Sequence, residues 1–331
     1  MNRILVIRGG AIGDFILTLP ALKALRDARP RARIEILGYK HIAVLAENRF
    51  YAQAVHSIEY GLLARFFARN SELPAELADY FASFDLVISY LYDPDEIFES
   101  NLRRCGVGNL LCGPAKITDS RSDGLPTVIG HPTAGKPSFL GSHAARQLAR
   151  PIDELGIDVV DFAERIFPSI EDREFAREFL ASVPQPIIAI HPGSGSHDKN
   201  WPVEKWIDLF SPDNHFADLK RLLVVSGEAD EAQANQLERE WKNRGVRFLR
   251  NLPLPRLAAV LEHSIFIGHD SGISHLAAAA GANCILLFGP TNPDVWAPKN
   301  ENVRVLRSPS GKLDDLQIET VEAALAGLLS S

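Results

Sequence analysis

The chain of 331 residues is 46% hydrophobic and 23% charged with a formal net charge of −7, a balance that excludes a disordered polar chain and gives no basis for a nucleic-acid partner. Its length suits two domains of ordinary size, and residues 1–160 carry 18 of the 35 basic and 18 of the 42 acidic residues, so the acidic excess falls on the second half. Three cysteines, Cys105, Cys112 and Cys284, form no C-x-x-C pair, and their odd number argues against a disulfide framework and for a reducing cytoplasm.

The first apolar run, Ile4-Leu5-Val6-Ile7 between Arg3 and Arg8, predicts a strand buried on both faces of a parallel sheet. Interrupted by Arg8 and Asp14, this stretch is too short for a membrane span or a signal peptide. Gly9-Gly10-Ala11-Ile12-Gly13-Asp14 then turns the chain into a helical pattern through Leu17, Leu22 and Leu25. Its spacing misses the dinucleotide pattern G-x-G-x-x-G, and no ribose-binding acid closes the next strand at 34–37. Pro20 lacks an N–H, which predicts a short first turn before the helix proper, or a kink. Asp14 has two readings. As an N-cap it stabilises the helix by about 1 kcal/mol. As a carboxylate kept ionised by the helix dipole, it can take a proton from an attacking hydroxyl. Lys23, Arg26, Arg29, Arg31 and Arg33 form a basic cluster, a solvated helix end or a face for an acidic partner.

Strands follow at 54–58 and 86–88, with a helix over 74–81 between them. Asp93-Pro94-Asp95 has the D-x-D spacing with which metal-dependent sugar transferases hold a cation, although two acids in a proline-containing surface loop account for it as well. Residues 106–136, rich in Gly, Pro, Ser and Thr, read as a long functional loop. Helix resumes over 141–155 with His143, Arg146 and Arg150 on its polar side, and the pattern weakens toward Pro168-Ser169, dividing the chain into domains 1–165 and 166–331.

A helix over 172–181 leads to a buried strand at 186–190 and then to His191-Pro192-Gly193-Ser194-Gly195-Ser196-His197-Asp198-Lys199-Asn200-Trp201-Pro202. This turn offers N–H and hydroxyl donors beside one fixed positive charge, a combination suited to phosphate oxygens, and Pro202 suits the first turn of the next helix. The strand at 222–225 ends at Ser226-Gly227-Glu228, where Glu228 is either an acid in a first helical turn or an acceptor for a ribose hydroxyl. Strands at 246–249 and 265–267 follow, and the second enters Gly268-His269-Asp270-Ser271-Gly272-Ile273-Ser274-His275. There Ser271 and Gly272 let backbone N–H groups approach an anion at the positive end of a helix dipole. Asp270 can cap that helix or accept a sugar hydroxyl, and His275 is close enough to donate to a phosphate oxygen. A strand at 284–288 precedes Gly289-Pro290-Thr291-Asn292-Pro293, a loop placed to close over a nucleotide. The last helix, 319–329, has an apolar stripe that can pack back across the domain boundary, although its sequence does not require this.

Gly13-Asp14 with Leu19-Pro20-Ala21-Leu22, the run from His191 to Pro202, and His269 to His275 with Phe288-Gly289-Pro290-Thr291 together resemble glycosyltransferase family 9, the heptosyltransferase family of bacterial lipopolysaccharide core assembly. The resemblance covers most of the chain at the level of motifs. It implies an α/β fold of the GT-B type, two Rossmann-like domains with mainly parallel sheets facing a central cleft, acceptor on the N-terminal domain and nucleotide-sugar on the C-terminal one. It also implies an inverting transfer needing neither metal nor cofactor, with heptose moved from ADP-heptose to a hydroxyl of a lipopolysaccharide-core or related glycan. Asp14 then corresponds to the general base, and Arg8 and Gly13 fall on the acceptor side. Lys199 with the turn Ser194 to Ser196 corresponds to the pyrophosphate-facing positions, Glu228 to the nucleoside-binding acid, and Asp270, Ser271, Gly272 and His275 to the contacts with donor sugar and phosphate. Some family members have adjacent threonines where this chain has Ser194 and Gly195, and Ser196 can replace the missing hydroxyl. The implied location is cytoplasmic, a lipid-linked acceptor being met peripherally at the inner membrane surface. A non-hydrolysing nucleotide-sugar epimerase and a non-catalytic nucleotide or glycan binder stand as alternatives.

Overall fold

In the computed structural model, which describes residues 2–119, 142–212, 214, 216 and 218–330, five short strands build the first sheet. They are β1 (Arg3–Arg8), β2 (Arg33–Gly38), β3 (Ala54–Ser57), β4 (Leu86–Ser89) and β5 (Leu110–Cys112), in the order β3-β2-β1-β4-β5 with every pairing parallel. Ile4, Leu5, Val6 and Ile7 are fully buried, as a central strand covered by helices on both faces requires. Leu5, Ile7 and Leu37 pack on one face against Phe66, Phe81 and Phe98. The chain steps from β1 outward to β2 and β3, then returns to place β4 on the other side of β1. Strand order therefore reverses between β1 and β4, and an open α/β sheet forms its ligand crevice at the carboxyl ends of strands flanking such a reversal.

The helix after β1, Ile12–Ala28, runs unbroken through Pro20, contrary to the expected short first turn. Proline withdraws one hydrogen bond from the ladder, and ten buried residues between Phe15 and Arg26 hold the helix against the sheet regardless. The helix expected over 141–155 is two shorter ones, Ala144–Leu148 and Arg150–Asp153, with His143 capping the first by accepting the Ala145 N–H. Residues 120–141, which include most of the loop assigned above to 106–136, lie outside the described residues.

The chain divides between Phe162 and Ala163. Ser169 is a helix cap: its Oγ accepts the Asp172 N–H at 3.1 Å and Asp172 Oδ2 accepts the Ser169 N–H at 2.9 Å, so the helix spans Ile170–Leu180. Beyond it lies a second all-parallel sheet of β6 (Ile188–Ile190), β7 (Leu222–Ser226), β8 (Arg247–Arg250), β9 (Ile265–His269), β10 (Asn283–Phe288) and β11 (Val303–Arg307). Its order is β11-β10-β9-β6-β7-β8, so the reversal falls between β6 and β9. Trp201, Trp206 and Trp241 anchor its core. Val321, Ala324 and Leu325 of the last helix, Ile318–Leu329, lie in the same cluster, so its apolar stripe is buried in its own domain. Among the described residues no helix is long and apolar enough to cross a membrane.

Candidate functional site

In the first domain Gly10 has φ 98°, a left-handed conformation that turns the chain out of β1. A Cβ at Gly10 would sit 2.7 Å from Asp14 Oδ2, so glycine there lets the carboxylate fold back over the turn. Asp14 is not the N-cap. Ala11 holds that position, and Asp14 Oδ2 accepts the Ala11 N–H at 2.9 Å, the backward reach open to an acid three residues into a helix. Gly13 stands between them in the first turn, half-buried. The Arg8 side chain is 3% exposed and that of Asp14 36%, with Arg8 Nη2 lying 3.5 Å from Asp14 Oδ1 and donating to the Asp14 carbonyl at 3.0 Å. Burial pulls the Arg8 guanidinium below its ordinary value, partly offset by the Asp14 charge and by Tyr90, over whose ring it sits at 5.7 Å. Arg8 thus addresses Asp14, which presents a half-exposed carboxylate at a helix N-terminus.

In the second domain the loops after β6 and β9 meet across the strand reversal. Lys199 Nζ lies 2.7 Å from Asp270 Oδ2, with side chains 31% and 9% exposed. His269 fixes the two loops together. Its Nε2 accepts the Trp201 N–H at 2.9 Å, leaving the ring proton on Nδ1, which faces the Gly193 carbonyl at 3.4 Å. Complete burial, with the nearby His191 ring, drives the His269 pKa down to about 3, so the ring is neutral. Ser271, not Asp270, caps the helix Gly272–Ala280, its Oγ accepting the Ser274 N–H at 3.3 Å. A serine side chain one residue ahead of the helix has the reach for that bond, which leaves Asp270 to pair with Lys199.

Two buried pairs support these loops, and sequence reading found neither. His191 Nε2 lies 3.3 Å from Asp230 Oδ2, and His191 Nδ1 lies 3.4 Å from Ser271 Oγ. Burial pushes the Asp230 carboxyl up, but His191 and the Gly227 N–H more than offset it, so it titrates below the usual carboxylate range. Gly193 permits this contact, because a Cβ there would run into the Asp230 Cβ. His275 Nδ1 meets both carboxylate oxygens of the fully buried Glu164, at 2.8 and 2.9 Å. The Asn300 side-chain amide clasps the Glu164 backbone, accepting its N–H at 3.0 Å and donating to its carbonyl at 2.8 Å. Each pair joins residues distant in sequence, and only the local Gly227–Asp230 turn carried any signal.

The other expected residues are placed as follows. The Ser194 hydroxyl is folded into its own turn, donating to the Ser196 carbonyl at 2.8 Å, while Ser196 is exposed. Glu228 is exposed just beyond β7. Asn292 in the loop after β10 caps the short helix Pro293–Trp296. Asp93 accepts the N–H groups of Ile97 and Glu99 at 3.0 and 2.9 Å, which commits it to a helix start, and Asp95 lies 3.8 Å from Arg69. A groove of about 890 Å³ lies beside the Lys199 loop, lined by His197, Asn200, Trp201 and Lys312, but contains neither Lys199 nor Asp270. Anion-holding chemistry is concentrated at the reversal instead: one ammonium, one hydroxyl and the free N–H groups opening a nine-residue helix.

Comparison with known proteins adds to this geometry. The family model described as Glycosyltransferase family 9 (heptosyltransferase) matches residues 144–326. Lipopolysaccharide heptosyltransferase 3 of Escherichia coli (strain K12) is 27% identical over 310 residues, covering 88% of this chain and 83% of that protein. Among solved structures, a glycosyl transferase family 9 protein from Veillonella parvula DSM 2008 aligns with a TM-score of 0.76 at 21% identity, covering 100% of this chain and 98% of that one. E. coli heptosyltransferase WaaC with ADP-2-deoxy-2-fluoro heptose aligns with a TM-score of 0.63 at 20% identity, covering 98% and 99%. The structural likeness identifies two mostly parallel sheets flanked by helices as the GT-B fold.

Proposed function

This chain belongs to glycosyltransferase family 9 and is a glycosyltransferase, and from that premise we propose that it transfers heptose from ADP-heptose to a hydroxyl of a lipopolysaccharide-core acceptor, with inversion and without a metal ion. The observation that carries the donor half is the Lys199–Asp270 pair bridging β6 and β9 beside the start of Gly272–Ala280. A diphosphate arriving there takes the ammonium and frees the carboxylate to accept a sugar hydroxyl. The heptosyltransferase relative and the ADP-heptose analogue held by WaaC support the choice of donor.

In this reading Asp14 takes the proton of the acceptor hydroxyl as its oxygen bonds to the anomeric carbon on the face opposite the nucleotide. The bond from that carbon to the phosphate oxygen breaks, and its electron pair leaves on the diphosphate. Lys199, Ser271, His275 and the N–H groups of Gly272 and Ile273 stabilise the charge that builds there. Ser194 and Ser196 complete the phosphate turn, and Glu228 accepts ribose hydroxyls. Arg8, 3.5 Å from Asp14 Oδ1, holds the carboxylate in place, and Gly13 leaves the acceptor room beside it. A lipid-linked acceptor implies contact with a membrane surface.

The test is product analysis with a panel of ADP-, UDP- and GDP-sugars and a heptose-deficient core acceptor. ADP release that requires both ADP-heptose and acceptor, forms the inverted linkage and survives chelator supports the proposal. Donor conversion without acceptor would favour an epimerase, and activity lost to chelator and restored by manganese would overturn the metal-free mechanism.

A further inference from the structure

The His191–Asp230 pair has no part in the reaction as described, yet it lies directly behind Ser271. Resting on the nucleoside-diphosphate reading of this site, we propose that His191, anchored by Asp230, is a positioning residue that turns the Ser271 hydroxyl toward the leaving diphosphate by taking up a proton as that diphosphate docks. The three residues come from three loops, after β6, β7 and β9, at the carboxyl ends of three neighbouring strands.

Hydrogen positions follow from the geometry. The His191 and Asp230 side chains are 5% and 4% exposed. Asp230 Oδ1 accepts the Gly227 N–H at 2.9 Å, whereas Oδ2 makes no hydrogen bond among the described residues and has His191 Nε2 3.3 Å away. A buried carboxylate oxygen requires a donor, so Nε2 carries a hydrogen and Nδ1 is the variable atom. Nδ1 faces Ser271 Oγ. Ser271 Oγ already accepts the Ser274 N–H, and the Ser274 hydroxyl donates to the His269 carbonyl. With His191 neutral, the Ser271 hydrogen points inward, to Nδ1 at 3.4 Å or to Ser274 Oγ at 3.2 Å. With Nδ1 protonated, His191 donates to Ser271 Oγ, and the serine hydrogen is released toward a charged phosphate oxygen, the stronger acceptor.

The surrounding charges set the direction of the switch. Asp230 brings a negative charge beside His191 from the β7 side, and His269 on β9 is neutral and brings no positive charge. The Lys199–Asp270 pair is balanced until the diphosphate engages Lys199. Added negative charge at Ser271 therefore raises the proton affinity of His191, and the proton comes from solvent. The serine hydrogen then supports the charge that grows as the sugar–phosphate bond breaks, so the effect falls on kcat more than on KM.

The experiment is calorimetric titration of ADP at pH 7.5 in two buffers of different ionisation enthalpy, for the unmodified enzyme and for His191→Gln, which still donates to Asp230 but cannot gain a proton. The unmodified enzyme is expected to take up a larger share of a proton per ADP, by up to about half, than the variant. The kcat of His191→Gln is expected to fall about 10- to 100-fold with the donor KM within about threefold, and Ser271→Ala to abolish any further cost of His191→Gln. Asp230→Asn reads the same proton count should the glutamine variant not fold. Equal proton counts, or losses that simply add in His191→Gln/Ser271→Ala, overturn the proposal while ADP still binds. Failure of ADP, UDP and GDP all to bind the unmodified enzyme overturns the diphosphate reading and this switch together.

Discussion

On the proposed reading, replacing Lys199 with alanine acts on the donor site twice. It removes a charge-assisted contact to phosphate, worth about 1.5–3 kcal/mol, and it strands Asp270, whose side chain is only 9% exposed and whose ionic partner at 2.7 Å would be gone. An unpaired carboxylate about 6 Å from a phosphate charge repels it by about 3 kcal/mol at an effective dielectric constant of about 20, before local relaxation reduces the figure. Together the two effects predict ADP binding weakened at least about 30-fold, since about 1.4 kcal/mol corresponds to a factor of ten. Asp270→Asn alone has the opposite sign: Lys199 no longer has to leave a carboxylate, so ADP, which carries no donor sugar, binds more tightly. The double variant Lys199→Ala/Asp270→Asn then recovers about tenfold over Lys199→Ala. Calorimetry with ADP at fixed ionic strength measures all four proteins. Lys199→Ala affinity within twofold of the unmodified protein, or a double variant no better than Lys199→Ala, would refute this account of the pair.

Asp14→Asn keeps an oxygen for the Ala11 N–H but cannot take a proton, so turnover is expected to fall about 10³-fold with ADP affinity unchanged, and retained turnover removes Asp14 as the base. His269 is neutral when folded, with a pKa near 3, and has an ordinary imidazole once unfolded, so the unfolded chain binds the extra proton between about pH 6.5 and 3 and stability falls with pH across that window. Between pH 7 and 5 this costs about 2 kcal/mol. His269→Gln, which can still accept from Trp201, should lose about 2 kcal/mol less over that interval. All four tryptophans, Trp201, Trp206, Trp241 and Trp296, lie in the second domain, so urea unfolding followed by their fluorescence reads the difference, and identical pH slopes would count against a neutral buried ring. Gly193→Ala forces a methyl into Asp230 and should destabilise the same transition by about 2 kcal/mol or more, whereas a change under about 0.5 would mean the loop yields freely.

The outline of both sheets was readable because parallel strands buried on two faces are continuous apolar runs. Ile4-Leu5-Val6-Ile7 and Ile285-Leu286-Leu287 announce themselves in this way. Two of the four edge strands did not, although β3 and β8 were expected: β5 is three residues long, and β11 interleaves Arg304 and Arg307 with its apolar residues. At the candidate site the loops were located because glycine, serine and charge cluster after strands. What each polar side chain bonds to was not, because a cap moves by one residue with backbone geometry that sequence leaves open, as Asp270 and Ser271 illustrate. The His191–Asp230 and Glu164–His275 pairs depend on chain segments that only the folded sheet brings together.

Glu164 has a practical bearing on where the polypeptide can be divided. The carboxylate that meets His275 enters two residues past the Phe162–Ala163 boundary, on a strip of chain with no regular secondary structure, secured by Asn300. A severed C-terminal half beginning at the Ser169 cap would retain all six strands and still lack one side of a buried hydrogen-bonded pair beneath the loop after β9. Any excision or domain exchange in this protein must therefore carry the connecting strip along with the lobe it precedes.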